Sequence, residues 1–302
     1  MILDVAIVGS GPAALTAALY AARAGLKTVV YERAIIGGLT ATISEIENYP
    51  GYAEGNGGDL IAKIEEQATK FGAEIEYGEC TKIEKTGNRF TLTIDDEPVQ
   101  AWTVIVAVGS EPRKLGIAGE ESAGIHYCAT CDGAFYKEKE VVVIGGGNSA
   151  VQESFFLLQF AKKVTIVSRS LLKADKHLIE KLSTEPRIRT VIGKAPVDFV
   201  VKEGRATALR IAPNTPGSKK TTIAADGFFV QIGYNPATRF LDGSGVELSE
   251  YGYIKTDRNG ATSVKGIFAA GDCLDGVFRQ SIIAAGNGAT AALSASDLLL
   301  HR

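Results

Sequence analysis

The chain has 302 residues, a formal net charge of −3, and 45% hydrophobic against 22% charged residues. That length accommodates two domains, and the apolar share excludes global disorder. No basic excess provides the phosphate footprint of a nucleic-acid binder, and no apolar run approaches the ~20 residues that span a bilayer. The start, Ile2-Leu3-Asp4, lacks the basic n-region of a secretory signal and runs into a strand pattern, so a cytoplasmic location is expected. Of four cysteines, Cys80 and Cys273 are isolated, and Cys128 and Cys131 form one C-x-x-C. This is not the cysteine usage of a secreted disulfide framework.

Ile2–Val8 is an apolar, β-branched run that predicts a strand. Gly9-Ser10-Gly11-Pro12-Ala13-Ala14 follows, then an alanine-rich helix over about Ala13–Ala24, stopped by Gly25. A second strand, Thr28–Tyr31, ends at Glu32. Strand, glycine turn, helix, strand and acidic residue make the dinucleotide-binding fingerprint. Gly9 allows the tight turn, and Gly11 lets backbone N–H groups approach a pyrophosphate at the positive helix end. Ala14 keeps the helix close to the sheet, and Glu32 can accept from a ribose diol. Trp102–Gly109 is an apolar strand ending in glycine, followed by Ser110-Glu111-Pro112.

Cys128-Ala129-Thr130-Cys131-Asp132 comes next. A structural zinc needs four ligands, and of His126, His177 and His301 only His126 is near, so no metal site is expected. No thioredoxin-like unit surrounds the pair. Of the remaining readings, a buried thiol pair or a redox disulfide working with a flavin, the second fits the rest of the chain better. Cysteines at this spacing at a helix start can close a disulfide, and the helix N-terminus favours their thiolates. Asp132 can move a proton onto or off a sulfur, or cap the helix. His126 reads as a loop histidine, with tuning of a thiol as its other role.

The glycine device then recurs. Glu140–Ile144 predicts a strand, Gly145-Gly146-Gly147-Asn148-Ser149-Ala150 the turn, about Asn148–Phe160 a helix, and Val164–Val167 a strand. Where the first copy has Glu32, the second has Ser168 followed by Arg169, with Lys173 beyond. Loss of the carboxylate and gain of cations suit a 2′-phosphate. The second site therefore reads as NADP(H), and the first as a nucleotide with a free ribose diol, such as FAD. Gly227–Gly233, followed by Tyr234-Asn235-Pro236, repeats the earlier strand-glycine-proline pattern. The expected class is α/β with two Rossmann-like dinucleotide-binding domains, the second inserted into the first. The boundaries expected are 1–112 with 235–302 for FAD, and 113–234 for NADPH and the cysteine pair. Cys80, Cys273, Trp102 and Phe155-Phe156 read as packing residues.

With Glu47-Asn48-Tyr49-Pro50-Gly51, and with Gly271-Asp272 followed by Arg279-Gln280-Ser281, these motifs resemble the low-molecular-weight, bacterial-type thioredoxin reductases over essentially the whole chain. The resemblance implies a flavin held by the first glycine turn, Glu32, Arg33, Gly38, Leu39, Asn48, Gly271, Asp272 and Arg279-Gln280-Ser281. It implies NADPH held by Gly145, Gly147, Asn148, Ser149, Ala150, Ser168, Arg169 and Lys173. Electrons would reach Cys131, Cys128 would attack the disulfide of thioredoxin or a thioredoxin-like protein, and Asp132 would be the acid/base. The family is homodimeric, and its two domains rotate between arrangements. Departures are specific. The family's Gly-Gly-Gln near the flavin is Gly37-Gly38-Leu39 here, and its arginine-rich segment is reduced to Ser168-Arg169-Ser170 with Lys173. Two aromatics after the cysteines are Ala134 and Phe135, and a basic residue before them is Ala123. These changes keep ferredoxin or flavodoxin open as donors, alongside a flavin-dependent dithiol oxidase.

Overall fold

The structure is a computed structural model in which residues 2–43, 46, 48–213, 215, 217–275 and 278–301 are described. Glu47 of the Glu47–Gly51 motif and the side chains of Thr130 and Cys131 lie outside that description. The chain divides into two compact units, Met1–Glu111 with Asn235–Arg302, and Pro112–Tyr234.

The first unit opens with β1 (Ile2–Val8), α1 (Pro12–Arg23), β2 (Thr28–Glu32), α2 (Gly38–Ala41), α3 (Gly57–Lys70) and β3 (Glu74–Tyr77). A meander of β4 (Cys80–Thr86), β5 (Arg89–Ile94) and β6 (Glu97–Val106) follows. β1 pairs in parallel with β2 and β6, and β2 in parallel with β3. Helical crossovers force that parallel pairing. Period-two side-chain alternation explains the two cores. Val5, Ile7, Val30 and Ile105 pack on one face with α1, whereas Ala6, Val8, Val29, Val104 and Val106 pack on the other. Large side chains buried this way contribute roughly 1.5–3 kcal/mol each. α1 begins one residue earlier than the sequence predicts, because Pro12 suits the first helical turn, where no N–H is needed.

The chain leaves through the short strand β7 (Ser110–Pro112). The second unit contains β8 (Ile125–His126), α4 (Ala129–Asp132), β9 (Glu140–Ile144), α5 (Asn148–Leu157), β10 (Lys163–Ser168), α6 (Lys176–Ser183) and β11 (Ile188–Ile192). It closes with β12 (Lys194–Lys202), β13 (Arg205–Pro213), β14 (Thr221–Ala224) and β15 (Gly227–Val230). β11-β10-β9-β15-β8 is a parallel sheet, and β12-β13-β14 an antiparallel one. Again alternate residues separate: Val141, Val143 and Ile166 on one face, Val142, Ile144 and Val167 on the other. α5 ends at Leu157, three residues short of the sequence expectation. The helix at the cysteines is a single turn, continued as a 3-10 turn over Gly133–Tyr136.

After β16 (Tyr234–Pro236) the chain re-enters the first unit, where β17 (Ile267–Ala269) pairs in parallel with β6 and α7 (Ser281–Leu300) packs on α1. Small residues allow this approach: a Cβ on Gly288 would lie 2.0 Å from the Ala13 carbonyl oxygen.

Candidate functional site

In the first unit the glycine turn is built by steric exclusion. Gly9 has φ +98°, and a Cβ there would lie 2.4 Å from the Ala107 oxygen. Space opens at Gly11, where a Cβ would meet nothing nearer than the Gly37 oxygen at 3.9 Å. No side chain caps α1, so its first amides keep their donors for an anion. The buried Glu32 accepts from Ser10 Oγ at 2.5 Å and from the Ala34 N–H at 2.8 Å. A carboxylate has about four acceptor positions, so Glu32 retains capacity for a ribose diol. Ser10 also accepts from the Gly37 N–H at 3.0 Å, which ties the turn to the segment before Gly38.

The distant members of the predicted flavin set meet in space. Asn48 Nδ2 donates to Gln280 Oε1 at 3.0 Å, and Thr40 Oγ1 lies 3.0 Å from Ser281 Oγ. Gly271 packs against the α1 start, since a Cβ on it would be 2.9 Å from the Ala13 Cβ. Burial pushes the Asp272 carboxyl up, Arg279 opposes that shift, and no described group donates to it. A half-buried carboxylate left open in this way fits a hydroxyl-bearing ligand. Arg279 lies over the Tyr253 ring at 5.0 Å. Arg33 is turned to Glu79 at 3.5 Å and to Glu111, and Leu39 is exposed. Thr40 and Tyr253 carry no motif and were not expected.

The second unit repeats the turn. A Cβ on Gly145 would lie 2.0 Å from the Gln231 oxygen, and α5 starts after Gly147 with no side-chain cap. Asn148 and Asp175 hold each other, Nδ2 donating at 2.9 Å and the Asp175 N–H donating back at 2.8 Å. Ala150 is buried under the turn, and Ser149 is exposed at the helix start. Ser168 Oγ donates to the Ser170 carbonyl at 2.8 Å, and Lys173 donates its backbone N–H to the Gly146 carbonyl at 2.7 Å. The side chains of Arg169 and Lys173 are exposed and make no ion pair with a described residue. Two unengaged cations beside an uncapped helix start fit a phosphorylated ribose, whereas Glu32 in the first unit would repel one.

Cys128 is disulfide-bonded, and Cys80 and Cys273 are free and buried. Burial pushes both free thiols up to about 12, so they remain thiols, and Cys273 Sγ donates to the Ala270 carbonyl at 3.3 Å. The segment before the pair is anchored from two sides. Tyr127 Oη donates to Glu120 at 2.9 Å, and its carbonyl accepts from Gln231 Nε2 at 3.0 Å. Asp132 does not cap the following turn. It faces His126, whose Nδ1 is 3.0 Å away. His126 therefore sits in a strand with a carboxylate partner, not in a free loop.

Glu153, on α5, was not expected: an acidic residue within a helix reads as surface. Its Oε2 accepts from the Ala129 N–H at 3.3 Å, the first amide of the cysteine turn. Burial pushes its carboxyl up to about 7, with the Ala129 N–H opposing. Because the folded state then binds a proton more tightly than the unfolded chain, stability present below about pH 4.5 is lost as pH rises through about 7. Glu153→Gln is expected to narrow the stability gap between about pH 5 and pH 8 by roughly 2 kcal/mol, discounting for partial exposure. Denaturant unfolding at both values checks this; an unchanged gap would assign the pH slope to other groups.

The family described as pyridine nucleotide-disulphide oxidoreductase matches residues 3–288. A thioredoxin reductase of Mycolicibacterium smegmatis is 39% identical over 305 residues, covering 99% of this chain and 97% of the relative. The chain belongs to this family. It is an oxidoreductase enzyme, a flavin-dependent disulfide reductase, and membership implies a flavin and a nicotinamide cofactor. A 34.2 kDa protein in the rubredoxin operon of Clostridium pasteurianum is 38% identical, covering 98% of the reductase and 97% of that protein. The thioredoxin reductase structure from Lactococcus lactis superposes with a TM-score of 0.86 at 37% identity, covering 99% and 100% of the two chains. Such neighbours share the two Rossmann-like dinucleotide-binding domains. Among the described residues, no helix is long and apolar enough to cross a membrane, and no cluster could hold a metal ion.

Proposed function

We propose that the reductase takes electrons from NADPH through FAD to a Cys128–Cys131 disulfide and passes them to the disulfide of thioredoxin or a thioredoxin-like protein. The observation that carries this reading is the disulfide-bonded Cys128, four residues before Asp132, in a unit with its own dinucleotide-type turn. When bound, the flavin accepts hydride from the nicotinamide and yields the electron pair to the disulfide.

The chain's own residues do the rest. Gly9, Ser10, Gly11, Pro12 and Ala13 present the α1 amides to the flavin nucleotide's pyrophosphate, and Glu32 accepts from its ribose. Asn48, Asp272 and the Arg279-Gln280-Ser281 segment hold the remainder. Gly145, Gly147, Asn148, Ser149 and Ala150 cradle the nicotinamide nucleotide, and Arg169 and Lys173 hold its 2′-phosphate. Cys131 receives the electron pair, Cys128 attacks the partner's disulfide as thiolate, and Asp132 moves the proton. The exposed Phe135 supplies an apolar contact beside the pair. We further place the reductase in the cytoplasm as a homodimer, in keeping with the apolar side chains exposed along α7, Ile282, Ile283, Leu293 and Leu300.

Anaerobic titration of the flavin-loaded reductase with NADPH, and separately NADH, tests the reading. Bleaching by NADPH with about two equivalents consumed is expected, one for the flavin and one for the disulfide. If neither nucleotide bleaches the flavin, the donor is a one-electron carrier such as ferredoxin or flavodoxin, and the NADPH assignment falls. Arg169→Ala should weaken NADPH about tenfold or more in KM while shifting NADH less than about twofold, since one charge-assisted bond to the 2′-phosphate is lost. Equal effects on the two nucleotides would remove the 2′-phosphate role.

A further inference from the structure

We infer that His126 is the positioning residue for Asp132, held in one tautomer by Tyr136 and Arg205. The inference rests on the acid/base reading of Asp132 proposed above. His126 Nδ1 is 3.0 Å from Asp132 Oδ2, with side-chain exposures of only 18% and 29%. On the other side of the ring, His126 Nε2 is 2.6 Å from Tyr136 Oη. Arg205 Nη2 donates to that same phenol oxygen at 3.2 Å, and also to the Asp226 carbonyl at 3.2 Å.

This order of donors fixes the protons. Arg205 can only donate, so the phenol oxygen accepts from it and is left to give its own O–H to His126 Nε2. A neutral imidazole that accepts at Nε2 carries its proton on Nδ1, where it faces the Asp132 carboxylate. The ring plane is fixed as well: Phe229 stacks on His126 at 5.2 Å and 27°, and Tyr136 meets it edge-on at 5.3 Å. Lys139 lies over the far face of the cluster, 5.7 Å from the Tyr136 ring. The groups come from β8, the cysteine turn, the 3-10 turn, β13 and β15, so the fold assembles a chain of four side chains that runs from the exposed Arg205 through the buried Tyr136 to the partly buried His126 and Asp132. Its chemistry is that of an orienting group behind an acid/base.

The step it serves balances as follows. Reduced Cys128, as thiolate, attacks a disulfide; that S–S bond breaks, one thiolate leaves, and a mixed disulfide forms. The Cys131 thiol then loses its proton to the Asp132 carboxylate and attacks Cys128 sulfur, and the second thiolate leaves. The protein dithiol has given up two electrons and the disulfide has gained them. A carboxylate held beside Nδ1 by that 3.0 Å contact presents its other oxygen in one direction for that proton.

The test needs no nicotinamide. Holoenzyme is reduced with a phosphine under anaerobic conditions, freed of reductant and mixed with 5,5′-dithiobis(2-nitrobenzoate), and release of the second thiolate is followed. His126→Ala should slow that closure about tenfold, the loss of one polar contact to a charged group. His126→Asn, whose amide places a donor where Nδ1 stands, should recover it to within about threefold of the parent. Tyr136→Phe should fall between them, because the ring then has no fixed tautomer. Melting temperatures are measured for all three. Parent-like closure in His126→Ala overturns the inference, and so does His126→Asn as slow as His126→Ala with an unchanged melting temperature. Asp132→Asn separates the two readings. If its closure is slow and that of His126→Ala is not, only the role of His126 falls; if its own closure is as fast as the parent, the acid/base reading falls and takes the inference with it.

Discussion

Cys128→Ser is expected to abolish disulfide reduction, by about a thousandfold or more, while NADPH still bleaches the flavin within about twofold of the parent rate. The thiolate is the nucleophile in exchange, and a serine hydroxyl at neutral pH is not. Neither nucleotide-type turn includes Cys128, so loading of the two cofactors has no reason to change. The stoichiometry should change too. Without a disulfide to fill, the variant consumes about one equivalent of NADPH where the parent consumes about two. Stopped-flow bleaching, with turnover against a disulfide substrate, reads both. Lost bleaching in a folded variant would mean that Cys128 belongs to the hydride-accepting side, and retained turnover would move the nucleophile elsewhere.

Gly9→Ala is expected to yield a folded protein that purifies largely without flavin, with affinity reduced at least tenfold and the melting temperature lowered by several degrees. The added Cβ would stand 2.4 Å from the Ala107 oxygen and 2.8 Å from its carbon, at φ +98°. Backbone atoms cannot turn away as a flexible side chain can, and a non-glycine residue in that conformation costs about 1–3 kcal/mol before any clash. The turn must therefore shift, and with it the α1 amides. Gly286→Ala is the control. A Cβ there meets nothing within 4 Å in a regular stretch of α7, so it should gain about 0.5–1 kcal/mol and keep its flavin. Flavin absorbance per protein and a thermal melt distinguish the two; parent-like flavin content in Gly9→Ala would show that the turn tolerates a side chain.

Features that the backbone dictates locally were readable from residue order. Gly9 and Gly145 announce themselves because only glycine satisfies the turn, and the spacing to Glu32 or Ser168 follows from one helix and one strand. The strands were legible because both faces are buried, which makes near-continuous apolar runs such as Val141–Ile144. Helix ends were less so: α5 gives way after Leu157 to i→i−3 bonds, the Gln159 and Phe160 N–H groups donating to the Phe156 and Leu157 carbonyls, with no glycine or proline to mark it. What could not be read was side-chain convergence across long separations. Tyr136 and Arg205 are 69 positions apart, Asn48 and Gln280 are 232 apart, and no periodicity links them. Glu153 lies in no motif and drew no reading, and His126 read first as a loop histidine, because neither residue's partner is near it in a recognisable pattern. Here Glu153 meets an amide of the cysteine turn, and His126 meets Asp132.

The burial of Cys80 and Cys273 has a consequence for how long such an enzyme can run. A protein that opens and closes a disulfide at every turnover exposes itself to thiol–disulfide scrambling, in which a spare thiolate captures the half-open bridge and leaves a dead, mispaired chain. Here the spare sulfurs are protonated and walled off, Cys273 fully enclosed and Cys80 nearly so. The reactive dithiol is insulated from its own chain, and durability over many catalytic cycles is written into the packing of two residues that take no part in them.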